Sequence, residues 1–264
     1  MSADVPAFCD LAVPGVQHLQ PYQPGKPESE LAREYGVSDI VKLASNESPL
    51  GPAPSVVAAI EAAARTVHRY PDGNAFELKQ RLAARHDLAP EWITVGNGSN
   101  DVLDMVARAF LGPGRQAVFA RHAFAVYPIA TQTVGAEAVV TPANGPDHPQ
   151  PYGHDLDAMA AAVTEQTAVV FVANPNNPTG TWLTGPELEA FLEQVPRRVV
   201  VVLDEAYFEF AGDCEGYPDG TRWLERHPNL VITRTFSKAY GIAGLRVGYA
   251  LCRPEIADLL NRVR

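Results

Sequence analysis

The feature that most constrains this chain is a series of short apolar runs, several with little polar alternation, at residues 117–120, 137–141, 168–173, 199–203 and 230–233. A strand with one wet face alternates apolar and polar residues. Runs that do not alternate are strands covered on both faces, as in parallel sheets flanked by helices. Between the third and fourth runs, residues 184–195 place Leu188, Phe191 and Leu192 at helical spacing, which predicts a right-handed βαβ crossover. The fold class is therefore α/β with a mostly parallel sheet, whose ligands gather at the carboxyl ends of the strands.

Upstream, residues 55–67 and 76–86 read as helices, the second with Leu78 and Leu82 on one face. Residues 92–95 read as a short strand. It turns at Gly96-Asn97-Gly98 into a helix beginning at Ser99, striped by Val102, Leu103, Val106 and Phe110. The Pro- and Gly-rich residues 1–45 predict an irregular arm, and residues 142–155 a surface loop with His148 and His154 as solvated histidines rather than a metal pair. No period of repeat length recurs, which excludes solenoids and propellers.

Charge narrows the partners. The chain has 31 acidic against 21 Lys and Arg residues, a formal charge of −10, and no basic run, so a phosphate backbone is repelled and small molecules are expected. Cys9, Cys214 and Cys252 are scattered without metal-ligand spacing, as in a reducing compartment. The first residues carry Asp4, Pro6, Asp10 and Pro14 instead of an apolar signal core, which predicts a cytoplasmic location without membrane contact.

Four segments carry candidate chemistry. Lys238 lies in a tract of small and apolar residues after a predicted strand. It is either a surface lysine or a desolvated amine able to condense with a carbonyl. Asp204 ends the most apolar strand and is either a helix-capping residue or an acid aimed at a protonated nitrogen or a metal. The segment Asn174-Pro175-Asn176-Asn177-Pro178-Thr179-Gly180 is a turn that presents the Asn177 amide above the sheet. Gly96 to Asn100 combine glycines with a helix start, an arrangement suited to an anion. An amine, an acid for a pyridinium nitrogen, an amide and a phenol (Tyr207) for a ring hydroxyl, and a phosphate corner with Ser237 and Arg246 together describe pyridoxal 5'-phosphate.

These segments make the sequence similar to the fold-type I pyridoxal-phosphate-dependent aminotransferases, and most of all to their histidinol-phosphate aminotransferase branch. The matching pieces are PYQPGK at residues 21–26, LASNESPLG at 43–51, RYPD at 69–72, NGSN at 97–100, ANPNNPTG at 173–180, DEAY at 204–207 and TFSKAYGIAGLRVGY at 235–249. The resemblance implies a three-layer α/β/α sandwich. It implies Lys238 as the Schiff-base lysine and proton carrier, Asp204 on the ring nitrogen, and Asn177 and Tyr207 on the ring oxygen. Gly98, Ser99, Asn100, Thr235, Ser237 and Arg246 would surround the phosphate, and Phe124 is either a ring-stacking aromatic or a core residue. Tyr70 resembles a residue reaching the cofactor of a neighbouring subunit, so a homodimer is implied. Tyr22, Asn46 and Glu47 resemble substrate-side residues.

The implied reaction is amino-group exchange between histidinol phosphate and 2-oxoglutarate in histidine biosynthesis, with no metal. Aromatic amino-acid aminotransferase and phosphothreonine decarboxylase use similar apparatus, and a noncatalytic aminotransferase-like module is the alternative of another class. Family members extend well beyond the 26 residues that follow Lys238 here. The expected division is an arm with part of a small domain at residues 1–45 and a cofactor-binding large domain at 46–264, the C-terminal small domain being absent and turnover correspondingly poor.

Overall fold

The computed structural model describes residues 8–264, and residues 1–7 of the expected arm, with Asp4 and Pro6, lie outside the described residues. The expected strands form as β1 (Ile93–Gly96), β2 (Gln116–Ala120), β3 (Glu137–Thr141), β4 (Thr167–Ala173), β5 (Val200–Asp204) and β6 (Leu230–Thr235), and a strand the sequence did not announce, β7 (Gly248–Cys252), joins them. They make one seven-stranded sheet in the order β1-β7-β6-β5-β4-β2-β3. Neighbours from β6 to β3 are parallel, whereas β7 is antiparallel to both β1 and β6.

Each central strand feeds two apolar layers, because successive side chains point to opposite faces. Val170, Val172, Val201 and Leu203 face one layer, which Leu188, Phe191 and Leu192 of the helix Gly185–Gln194 complete together with Trp223. Val169, Phe171, Val200 and Val202 face the other, closed by Val102, Leu103, Met105 and Val106 of the helix Ser99–Phe110 and by Leu260 of the helix Pro254–Val263. Full burial of each such side chain contributes about 1.5–3 kcal/mol. This is the three-layer arrangement the sequence predicts.

The crossover between β4 and β5 is the expected helix, started by Thr184, whose backbone N–H and hydroxyl both donate to the Glu187 carboxylate, at 2.7 and 2.6 Å. The helix Phe76–His86 matches its predicted bounds. Three expectations need correction. The arm is not irregular throughout, since Glu28–Tyr35 is a helix with acidic residues in its first turn and Gly36 as a left-handed cap, the terminal chemistry helices favour. The helix predicted over residues 55–67 is Pro54–Ala64, and it buries none of its residues. His154 is not solvated. It is buried and bridges the loop to β4, its Nε2 lying 2.9 Å from the Ala173 carbonyl, while His148 is exposed as expected.

Candidate active site

Strand register sets the floor of the site. Ala173, Asp204 and Thr233 are aligned across β4, β5 and β6, so the carboxyl ends of three central strands meet. Above them opens a cavity of about 470 Å3, also bordered by the start of the helix Ser99–Phe110 and by residues 44–46. Asp204 is 4% exposed. Its Oδ2 accepts the Tyr127 hydroxyl at 2.9 Å and its Oδ1 the Thr233 hydroxyl at 2.8 Å. Burial pushes its pKa above the ordinary carboxylate range, and the hydroxyls of Thr233 and Tyr127, the Ala206 amide and the Lys238 charge oppose this without cancelling it.

Lys238 sits on the loop that joins β6 to β7, pinned at its base where the Phe236 N–H donates to Val247 at 3.0 Å. Its Nζ donates to the Asn46 carbonyl at 3.0 Å and lies 5.4 Å from the Tyr207 ring centroid. Partial burial lowers its pKa; Glu47 and Asp204 oppose this, and Arg246 reinforces it. Asn46 also donates through Nδ2 to the Tyr207 hydroxyl at 2.8 Å, so one residue just past the arm holds both the amine and the phenol. Burial raises the Tyr207 pKa against that hydrogen bond. The segment that follows the arm is seated closely: Gly241 has φ +68°, and a Cβ there would meet the Gly51 backbone.

A third wall suits an anion. Gly98 precedes the helix Ser99–Phe110 at φ +86° and ψ 167°, and no side chain caps the first turn. Its amides therefore remain available with the positive end of the helix dipole. Arg246 stands beside this turn, donating to Ser237 Oγ at 3.2 Å and to the Asn97 carbonyl at 3.2 Å. The backbones are packed so tightly that a Cβ on Gly98 would meet the Arg246 guanidinium and one on Gly248 the Gly98–Ser99 peptide.

Asn177 borders the cavity from the proline-rich turn. Its neighbours build that turn: Asn174 exchanges hydrogen bonds with Leu183, and Asn176 donates to His122 and Thr179. Phe124 and Tyr22 form the remaining aromatic edge, their ring centroids 6.4 Å apart. Thus Lys238, Asp204, Tyr207, Asn177, Ser99, Asn100, Phe124, Thr235, Ser237, Arg246, Tyr22 and Asn46 all border one cavity, with Gly98 immediately behind its edge. Two expected residues stand apart. Tyr70 is fully exposed, and Glu47 pairs with Lys42 at 2.9 Å outside the cavity lining.

Sequence reasoning missed Tyr127 and Thr233, which hold Asp204 without bordering the cavity. It also missed the ion cluster on the opposite side of the strand ends. Arg234 donates to Glu205 Oε2 at 2.7 and 2.9 Å and to Asp219 at 2.8 Å, beside the Phe208 ring. Burial pushes Glu205 up to about 7 against the attraction of Arg234. Burial works against the guanidinium charge too, but Glu205 and Asp219 outweigh it and hold Arg234 protonated.

Among the described residues there is no cluster of side chains able to hold a metal ion and no helix long and apolar enough to cross a membrane. Residues 38–264 match the family model described as aminotransferase class I and II. The chain is 61% identical to histidinol-phosphate aminotransferase 2 of Pseudomonas aeruginosa over 259 residues, covering 97% of this chain and 68% of that protein. It is 58% identical to the protein of the same name from Pseudomonas fluorescens over 259 residues, again 97% of this chain and 68% of the relative. Its fold superposes on the crystal structure of histidinol-phosphate aminotransferase from Sinorhizobium meliloti in complex with pyridoxal-5'-phosphate with a TM-score of 0.83 at 32% identity, covering 96% of this chain and 66% of that one. The chain thus spans about two thirds of the length of the relatives it matches.

Proposed function

Because the chain belongs to the class I and II aminotransferase family, we propose that it binds pyridoxal 5'-phosphate at Lys238 and exchanges an amino group between histidinol phosphate and 2-oxoglutarate in histidine biosynthesis. One observation carries the reading. A half-buried amine, a buried carboxylate and an uncapped helix start border the same cavity on three sides.

The residues present fit the cofactor. At Gly98 and Gly248 the space a Cβ would fill is taken by the Arg246 guanidinium and by backbone, as a close phosphate cradle requires. Ser99, Asn100, Ser237 and Arg246 would hold the phosphate, with Thr235 below them; Asp204 would take the ring nitrogen, Asn177 and Tyr207 the ring oxygen, and Phe124 a ring face. Bound there, the cofactor supplies an electron sink conjugated to the substrate α-carbon.

The protein's own groups do the rest. Burial lowers the Lys238 pKa, which raises the share of neutral amine available to bond the cofactor and to take the proton from the substrate α-carbon. Asp204 keeps its partner nitrogen protonated. Arg246 offers a charge-assisted fork to the phosphate. Asn46 borders one side of the cavity and its carbonyl accepts from the amine. Tyr22 stands at the substrate end in this reading, and Glu47, paired with Lys42, lies outside the cavity lining.

Residues 46–264 act as the cofactor-binding unit and residues 1–45 as an arm across its mouth, a division supported by Tyr22 and Ala44 at the cavity edge. A cytoplasmic homodimer belongs to the same proposal. Its support is the uncovered apolar surface at Val57 and Ile60 on the helix Pro54–Ala64, together with the fully exposed Tyr70, which would reach a partner's site.

The test is reduction with borohydride after incubation with pyridoxal 5'-phosphate, followed by peptide mass analysis. The expected product is a single modified peptide containing Lys238, lost in Lys238→Ala. A colourless protein with no modified lysine refutes the cofactor assignment. Spectral half-reactions with histidinol phosphate, aromatic amino acids and phosphothreonine then assign the donor, histidinol phosphate being expected to convert fastest.

A further inference from the structure

We propose that Tyr127 and Thr233 are positioning residues that keep the negative charge on Asp204 and thereby the proton on the cofactor's ring nitrogen, an inference that rests on the cofactor reading above. Neither residue borders the cavity. Both act through Asp204, and together they occupy both of its oxygens: Tyr127 donates to Oδ2 at 2.9 Å and Thr233 to Oδ1 at 2.8 Å.

The donor set favours the ionised form against burial. An ionised carboxylate is acceptor-only, whereas a protonated one must present a hydroxyl of its own. Asp204 receives the two hydroxyls and the Ala206 amide, an arrangement matched to a carboxylate. Burial alone would favour the neutral acid, because removing a charge from water is costly. Lys238 also favours the charge, but its nitrogen is the one committed to the cofactor. The hydroxyls of Tyr127 and Thr233 and the Ala206 amide are therefore the permanent donors. A proton shared between a carboxylate and a pyridine nitrogen goes to the partner whose charged form is better stabilised. Donors aimed at the carboxylate leave the proton on nitrogen.

Packing makes the arrangement rigid. Tyr127 has no exposed surface. Its ring stacks on Phe171 with centroids 4.8 Å apart and planes 7° apart, and it meets Phe124 edge-on at 5.9 Å. Thr233 is equally buried, on β6 opposite Asp204 of β5. Neither hydroxyl has water to turn to, so each stays on the carboxylate.

The experiment compares wild type, Tyr127→Phe, Thr233→Val and Thr233→Ser, each loaded with cofactor labelled with 15N in the ring and examined by nitrogen NMR. This readout does not depend on turnover. Tyr127→Phe removes only the hydroxyl and retains the stacked ring. The expected result is a ring-nitrogen resonance of a protonated pyridine in wild type and Thr233→Ser, displaced toward the unprotonated position in Tyr127→Phe and Thr233→Val. In the amino-donor half-reaction each lost hydroxyl should lower the maximal rate by about tenfold, the equivalent of about 1.4 kcal/mol, with donor affinity held. An unchanged resonance in both hydroxyl-free variants overturns the inference. So does an equal displacement in Thr233→Ser and Thr233→Val, which would assign the effect to packing. Failure of the wild type to take up cofactor at all refutes the underlying cofactor reading instead.

Discussion

Replacing Gly98 with alanine separates two functions that one residue combines. Gly98 has φ +86° and ψ 167°, a region restricted almost entirely to glycine, where another residue costs about 1–3 kcal/mol. That strain exists with or without ligand and is read as lost stability in denaturant unfolding. The second cost appears only on binding. The alanine Cβ would run into the Arg246 guanidinium, which must leave the position where it bonds Ser237 and Asn97. A hydrogen bond to a charged group contributes about 1.5–3 kcal/mol, so the Kd for pyridoxal 5'-phosphate should rise about ten- to a hundredfold. Titration of the cofactor's absorbance against protein gives the Kd, and denaturant unfolding the stability, each run beside Gly244→Ala. Gly244 has open space around it and no strained φ, and its variant should match the wild type. Unaltered affinity in Gly98→Ala would refute the assignment of this corner to the phosphate, whatever its stability.

Two further predictions concern stability. Arg234→Met should cost about 3–5 kcal/mol because it strands the fully buried Glu205; adding Glu205→Leu should restore much of the loss, a result checked by a double-mutant cycle in urea. His154 is pushed down to about 4 by burial, below its usual 6.5. Its unfolded form therefore binds a proton first, and stability present above about pH 6.5 is lost as pH falls through about 4. The difference amounts to about 3 kcal/mol, and His154→Asn should flatten this acid limb in unfolding titrations, His86, also pushed down to about 4, supplying the remainder.

The parts of the fold legible in the sequence are those with local signals. Non-alternating valines mark β4 and β5, and the helix Phe76–His86 carries its own apolar spacing. The helix Val126–Thr133 was hidden by Pro128, which reads as a breaker but is tolerated in a first turn. Strand β7 was hidden because its residues, from Gly248, also belong to the motif carrying Lys238, and because its antiparallel insertion beside β1 depends on a non-local pairing. The same distinction governs the site. Lys238, Asp204 and Asn177 announce themselves by strand ends and turns. Tyr127 and Thr233 look like ordinary core residues until the fold brings their hydroxyls onto Asp204 from 77 and 29 positions away. His154 resembled a loop residue until its loop closed on Ala173.

The contact of Gly248 with the Gly98–Ser99 peptide bears on the order in which the molecule acquires its abilities. It joins stretches of chain that are synthesised far apart, and the joint closes only when the last strand slots between the first and its sixth-strand neighbour. A refolding or nascent chain in which this strand is not yet inserted has a lysine and a carboxylate, and no grip for phosphate. Affinity for the vitamin derivative should therefore report completion of the sheet rather than guide it.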